Sequence, residues 1–158
     1  MFEMFKATIS KFKNSDENLK NEEIKNEEIK ALNSIVALLV EAASIDGEIG
    51  LDEKNQIKTI LTDQLNLENK KADEILEETI SNSSEQIEIW SKTNDIRKEL
   101  DYEERLNILE LMWEIVLVDD IIDVFEAQLM RRVSGLLYIS DIDSGNSKKR
   151  AIQKLKNN

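Results

Sequence analysis

Apolar and polar residues alternate with a helical period along most of the chain. From about residue 30 onward, apolar side chains recur every three or four positions, the spacing that places them on one face of an α-helix. The first such stripe consists of Leu32, Ile35, Val36, Leu39 and Ala43. Later stripes are separated by glycines or short polar runs, and the tail from Ser140 is polar with weak helical character. The pattern predicts an all-α fold, a compact bundle of six to seven helices.

The most apolar helix of the chain is predicted around residues 106–116 and is expected to form the centre of the core. Both tryptophans, Trp90 and Trp113, fall at helical spacing with other apolar residues, and we expect both to be core anchors. A capping-box pattern, in which an Asp or Ser is followed three residues later by Glu or Gln, predicts helix starts at Asp101 and Ser83.

The N-terminal 25 residues differ from the rest of the chain. Phe2, Phe5, Ile9 and Phe12 stand at helical spacing with lysines between them, a pattern that fits either docking on the domain or lying on a membrane surface. Residues 14–25 are polar and nearly repetitive, as in a spacer. We therefore divide the chain into an amphipathic segment with a polar linker, residues 1–25, and a helical domain, residues 26–158.

Composition and charge exclude several classes of function. The 158 residues include 33 acidic and 21 basic side chains, and a net charge of −12 repels phosphate backbones, so no nucleic-acid partner is expected. The absence of histidine and cysteine excludes the usual nucleophilic triads, disulfides and zinc ligands. No stretch approaches the roughly 18 apolar residues of a membrane span. Lysines interrupt the N-terminal segment where a secretory signal would be apolar, so the cytoplasm is the expected location.

An internal repeat is the most informative feature of the sequence. The stretch LLVEAASIDGEIGLDEKNQI at residues 38–57 aligns with LMWEIVLVDDIIDVFEAQLM at residues 111–130. Glu41 aligns with Glu114, Asp46 with Asp119, and each apolar helix runs into an acidic bend and then a second helix. The repeat predicts two pseudo-symmetric helical hairpins packed about a pseudo-twofold axis.

The two acidic bends hold more carboxylates than a helix cap requires. If the pseudo-twofold axis brings the bends together, a divalent cation such as calcium, magnesium or manganese would relieve the repulsion between these groups. The spacing matches only the second half of an EF-hand loop, because Ala42 and Ile115 stand where the first ligand would be. The alternative is simple capping, in which Asp123 and Glu126 form a capping box and the other carboxylates accept from N–H groups of the bends. The candidate metal ligands are Asp46, Glu48, Glu53, Asp119, Asp123 and Glu126.

Together, the stretches LLVEAASIDGEIGLDE and ELDYEERLNILELMWEIVLVDDIIDVFEAQLMRRVSGLLYIS resemble the TerB-like family associated with tellurite resistance, over about residues 30–152. The chain is similar to the short stand-alone branch of that family. The first bend keeps the family's Asp-Gly pair, whereas Asp119-Asp120 replaces it in the second bend. The resemblance implies that the family's metal-linked acidic positions fall on Asp46 and Glu53 first, and on Asp119 and Glu126 second.

The resemblance also implies a stress-associated interaction module in the bacterial cytoplasm, working beside an integral membrane protein at the inner face of the membrane. The expected function is therefore a non-enzymatic module that binds a divalent cation at its paired bends and recruits a protein partner. The alternative is a magnesium-dependent hydrolase of phosphorylated small molecules, because helical bundles hold metals on carboxylates of facing helices. Against this alternative, the sequence has no Gly-rich phosphate loop, and its acidic residues cluster at helix ends.

Overall fold

The computed structural model describes residues 19–45, 47–82, 88–119 and 122–157, with side chains from residue 26 onward except that of Asp119. Within these residues the chain forms seven α-helices and no strand, which confirms the predicted all-α fold. The helices are α1 (Leu19–Ser44), α2 (Leu51–Thr59), α3 (Asn69–Asn82), α4 (Ile89–Glu99), α5 (Tyr102–Val116), α6 (Val124–Leu136) and α7 (Asp141–Lys156). The amphipathic segment at residues 2–12 and the capping pattern at Ser83 lie outside the described residues.

Helix α5 is the centre of the bundle. Every side chain from Leu106 to Val116 is buried, so this helix is covered on all sides, as expected for an apolar helix in the middle of a domain. It packs against α1, α6 and α7. Asp101 caps its start: the Asp101 carboxylate accepts from the backbone N–H of Glu104 at 2.9 Å, and the Glu104 carboxylate accepts from the N–H of Asp101 at 3.1 Å. The capping box predicted here is confirmed.

Helices α1 and α4 run antiparallel along one side of the core. Ser34 Oγ donates to Asp95 Oδ2 at 3.1 Å, and Glu27, two turns earlier in α1, contacts Glu99 at the end of α4. Helix α1 begins at Leu19, inside the stretch whose composition predicts a polar spacer. Among the described residues, no helix is both long and apolar enough to cross a bilayer.

The prediction that Trp90 anchors the core is wrong, whereas the prediction for Trp113 is confirmed, because Trp113 is buried. The buried face of α4 is formed by Ile89, Thr93 and Ile96, which are spaced four and three residues apart. Trp90 follows Ile89 directly and is therefore turned about 100° away from that face. As a result, its side chain is 60% exposed.

The C-terminal tail is a regular helix of 16 residues, not the weakly helical segment that its composition predicts. The start of α7 is capped by Ser140, whose hydroxyl accepts from the N–H of Asp143 at 3.2 Å. Its buried positions include Ser147 and Ala151, whose small side chains allow α7 to lie close against α5. Small residues contribute little to an apolar pattern, which explains why the helix was missed.

Candidate functional site

The first acidic bend joins α1 to α2 and is shaped by two glycines. Gly47 has φ +134°, a backbone conformation that residues with a Cβ rarely adopt, and its N–H donates to the carbonyl of Ser44 at 3.0 Å. Glu48 is exposed beside it. The predicted ligand Asp46 lies outside the described residues. The Asp-Gly pair that carries the family resemblance therefore has one clear role in the fold, which is to supply a glycine where the turn requires it.

The start of α2 uses Glu53 as a cap. Its Oε2 accepts from the N–H of Gly50 at 3.1 Å, so Glu53 bonds the backbone of the residue that precedes the helix. Because glycine has no side chain, only this half of a capping box is present. Asp52 and Glu53 both lie in the first turn, where negative charge is favoured by the partial positive charge of the helix start.

The second acidic bend ends in a complete capping box. After α5, a short 3₁₀ turn at residues 117–119 leads into the bend, and Asp123 is the N-cap of α6. Asp123 Oδ1 accepts from the N–H of Glu126 at 2.7 Å, and Glu126 Oε1 accepts from the N–H of Asp123 at 3.3 Å. Capping at this bend, the alternative to metal binding, is therefore present in the structure.

The candidate metal ligands are only partly described. The structure brings Asp123 and Glu126 together within one cap, and it places Glu53 in a different cap at the start of α2. Among the described residues, no group of three or more acidic side chains is arranged to hold a metal ion. Asp46 and the side chain of Asp119, the two central members of the predicted set, lie outside this description. Their convergence and the pseudo-twofold arrangement of the repeats stay predictions.

Large apolar side chains are exposed directly after each bend. Leu51, the first residue of α2, is 73% exposed, and Val124, the first residue of α6, is 68% exposed. These two positions align in the sequence repeat. Phe125, the next residue, is 65% exposed. Leu129, four residues later on the same side of α6, is buried. We call residues 47–53 and 122–126, the described parts of the two bends, the bend surface; each part carries an exposed apolar side chain beside carboxylates.

A buried ionic network that the sequence pattern does not predict lies between α5 and α7. The Glu110 carboxylate is 1% exposed; its Oε1 accepts from Arg150 Nε at 2.9 Å and its Oε2 from Lys154 Nζ at 3.1 Å. Lys154 Nζ also lies 3.8 Å from Glu114 Oε1, and Gln64 Nε2 donates to Glu114 Oε2 at 3.5 Å. Two basic side chains of the last helix are thus held by two buried carboxylates of the central one.

Burial raises the pKa of Glu114, and the neighbouring Glu110 adds to the rise, while the charge of Lys154 and the hydrogen bond from Gln64 oppose it. Burial also raises the pKa of Glu41, its aligned residue in the last turns of α1. Each glutamate therefore precedes an acidic bend in a partly desolvated position. The signal for both was visible in the sequence as a single acidic residue within an apolar run, LLVEAA in one copy and LMWEIV in the other.

The fold and the two bends define a small all-α domain with acidic, capped helix starts. A family model described as tellurite resistance protein TerB matches residues 32–149, a region that includes both bends and the central helix. The chain belongs to the TerB family, which confirms the resemblance seen in the sequence. No curated protein and no solved structure matches the chain.

Proposed function

We propose that this TerB-family chain is a non-enzymatic interaction module whose bend surface recruits a protein partner. The observation that carries the proposal is the exposure of Leu51 and Val124 at aligned positions of the two repeats. Elsewhere the aligned positions that are apolar in both copies are buried, as at Leu38 and Leu111, or half-buried, as at Ile49 and Ile122. With the two bends adjacent, as the repeat predicts, these side chains would form one apolar patch bordered by carboxylates, and such patches are typical of protein-binding surfaces.

The energies involved suit reversible recruitment. Full burial of a side chain the size of leucine, valine or phenylalanine stabilises a complex by about 1.5–3 kcal/mol. The three exposed apolar side chains of the bend surface therefore offer a few kcal/mol toward association, before the cost of ordering the partner is subtracted. The adjoining carboxylates favour a partner that carries basic residues, because opposite charges across an interface speed encounter and select the register.

A membrane protein with a basic cytoplasmic loop is the partner that we propose on chemical grounds. Loops of membrane proteins on the cytoplasmic side carry an excess of Lys and Arg, which complements the acidic bends. This agrees with the integral membrane partner that the family resemblance implies. The module itself would then act in the cytoplasm at the inner face of the membrane, held there through its partner.

We further propose that a divalent cation, calcium, magnesium or manganese, binds at the bends and regulates recruitment. Its ligands would come from Asp46, Glu48, Glu53, Asp119, Asp123 and Glu126. The capping bonds of Glu53, Asp123 and Glu126 favour this by fixing those carboxylates at the two helix starts. An ionised carboxylate offers about four lone-pair sites, so one N–H bond does not by itself prevent coordination. A bound cation would neutralise part of the charge that attracts a basic partner.

Titration with calcium and magnesium, followed by amide NMR, tests the cation proposal. Binding at the bends predicts saturable shift changes confined to residues 46–53 and 119–126, and their loss when Asp46→Ala is combined with Asp119→Ala. If the double variant retains the shifts and only its melting temperature falls, these carboxylates act as caps and the cation proposal is wrong. A phosphate-ester turnover assay with the same metals addresses the hydrolase alternative, which no feature of the described residues favours.

A further inference from the structure

The bend surface and the N-terminal segment of the same chain have complementary chemistry. The surface presents Leu51, Val124 and Phe125 beside exposed or half-buried carboxylates. Residues 2–13 carry four large apolar residues at helical spacing, with three lysines against one glutamate. This segment is basic in a chain whose net charge is −12. A basic segment with an amphipathic sequence pattern and an apolar acidic surface are complementary halves of a docking interface.

We propose that residues 2–12 of a second copy of this chain dock on the bend surface. The inference rests on the proposed function, because it requires the bend surface to be a protein-binding surface. It identifies the segment that binds to the bend surface when no other partner is present. The four apolar residues Phe2, Phe5, Ile9 and Phe12 would contact the exposed apolar side chains, and the lysines would face the carboxylates of the bends.

The reach of the chain argues for a second copy as the donor of the segment. Helix α1 has 26 residues and ends where the first bend begins, so its two ends are about 38 Å apart. The seven steps from Phe12 to Leu19 span at most about 24 Å when fully extended. A segment attached to the start of α1 would therefore have to cover most of the length of α1 before its apolar residues met the first bend of its own chain. A segment from another copy has no such limit.

Docking between copies also agrees with the expected regulation of the surface. A basic segment and a basic loop of a partner would compete for the same carboxylates, so self-association would decrease as a partner binds. High salt would weaken the docking because exposed charges are screened within about 10 Å at 0.1 M ionic strength. Both effects follow from the charge complementarity and not from the apolar contacts alone.

The chain lacks cysteine, so a single Ser10→Cys substitution provides one attachment site for a spin label. Ser10 stands four residues after Lys6 and three before Lys13, so the sequence spacing groups it with the polar positions of the segment. The experiment mixes spin-labelled chain at natural isotope abundance with unlabelled ¹⁵N full-length chain and records amide intensities. We expect loss of intensity at residues 50–54 and 122–127, which decreases on dilution and in high salt.

Two matched variants of the ¹⁵N chain test where the segment binds. Val124→Ser combined with Phe125→Ser should abolish the intensity loss, and both residues are exposed enough that the fold should persist. Ile142→Ser is the control, because Ile142 is a 77% exposed apolar residue in the acidic first turn of α7, and this change should leave the intensity loss intact.

The inference is overturned if the mixed sample shows no intensity loss at the bend surface, if the loss falls instead at the start of α7, or if the double variant retains it. It is also overturned if the loss arises only when label and ¹⁵N are on one chain, because docking would then be intramolecular. If no docking of the segment is observed but the NMR titration still shows cation binding at the bends, this inference is wrong and the proposed function is unaffected. Loss of both responses would contradict the bend surface itself.

Discussion

Removing the positive charge of Lys154 is expected to destabilise the fold through the buried carboxylates of α5. The Lys154 ammonium lies 3.1 Å from Glu110 Oε2 and 3.8 Å from Glu114 Oε1. In Lys154→Met the aliphatic stem is largely kept and the charge is lost. Glu110 retains Arg150, whereas Glu114 loses the one cation found beside it among the described residues.

The expected cost is about 2 kcal/mol. At an effective dielectric constant of about 20, unit charges 3.8 Å apart attract by roughly 4 kcal/mol before desolvation is subtracted. The Lys154 side chain is 42% exposed, so solvent screens a large part of this attraction. Removing one partner of a fully buried pair costs about 3–5 kcal/mol, and an exposed pair contributes about 0–1 kcal/mol. The cost of removing the Lys154 charge should lie between these limits, because the carboxylates are buried and the lysine is partly exposed.

Urea unfolding and a thermal melt at neutral pH measure this cost. A loss of about 2 kcal/mol corresponds to a fall of roughly 4–8 °C in melting temperature for a domain of this size. Lys149→Met is the matched control, because Lys149 is an exposed lysine of the same helix, and it should change stability by less than about 0.5 kcal/mol. If Lys154→Met is no more destabilising than Lys149→Met, the α5–α7 network contributes nothing measurable and the reasoning is refuted.

Three further predictions concern single side chains. Asp123→Ala should destabilise the protein by about 1 kcal/mol in urea unfolding, since it removes the N-cap of α6, and an unchanged midpoint would contradict that role. Burial raises the pKa of Glu114, so the folded state binds the carboxyl proton of Glu114 more tightly than the unfolded state does. The contribution of Glu114 to the free energy of unfolding is therefore full below its ordinary pKa and is lost as pH rises through the raised pKa. Glu114→Gln should therefore reduce the fall in the free energy of unfolding between these two pKa values, measured by urea unfolding at a series of pH values. An unchanged slope of that free energy against pH would contradict this role of Glu114. Trp113→Ala should cost about 3–5 kcal/mol, whereas Trp90→Ala should cost under about 1 kcal/mol, as calorimetry of the two variants can show.

The parts of the fold that could be predicted from sequence are those set by local chemistry. The capping boxes at Asp101 and Asp123 were visible because an N-cap and its N3 partner are only three residues apart. The apolar run of α5 identified the centre of the core for a similar reason, since one helix shows its burial in its own period.

The features that were missed depend on contacts between distant segments. Trp90 is apolar and lies beside the buried stripe of α4, and only the packing of α4 against α1 shows that Ile89 is the buried neighbour. The ionic network joins Glu110 to Arg150, 40 residues away, and neither residue carries a local sign of its partner. The candidate site was likewise predicted in part, because spacing identified the acidic bends but not the exposure of Leu51 and Val124 that follows them.

The distance between the two bends in solution tests the central claim most directly. Asn55→Cys combined with Ala127→Cys places spin labels at exposed positions on the first turns of α2 and of α6, in a chain with no other cysteine. A domain of this size is about 40 Å across. If the bends form one composite surface, pulsed dipolar spectroscopy should give a single distance well under that diameter, and saturating calcium should narrow its distribution. A separation close to the full diameter would mean two independent helix caps, and the composite surface would be wrong.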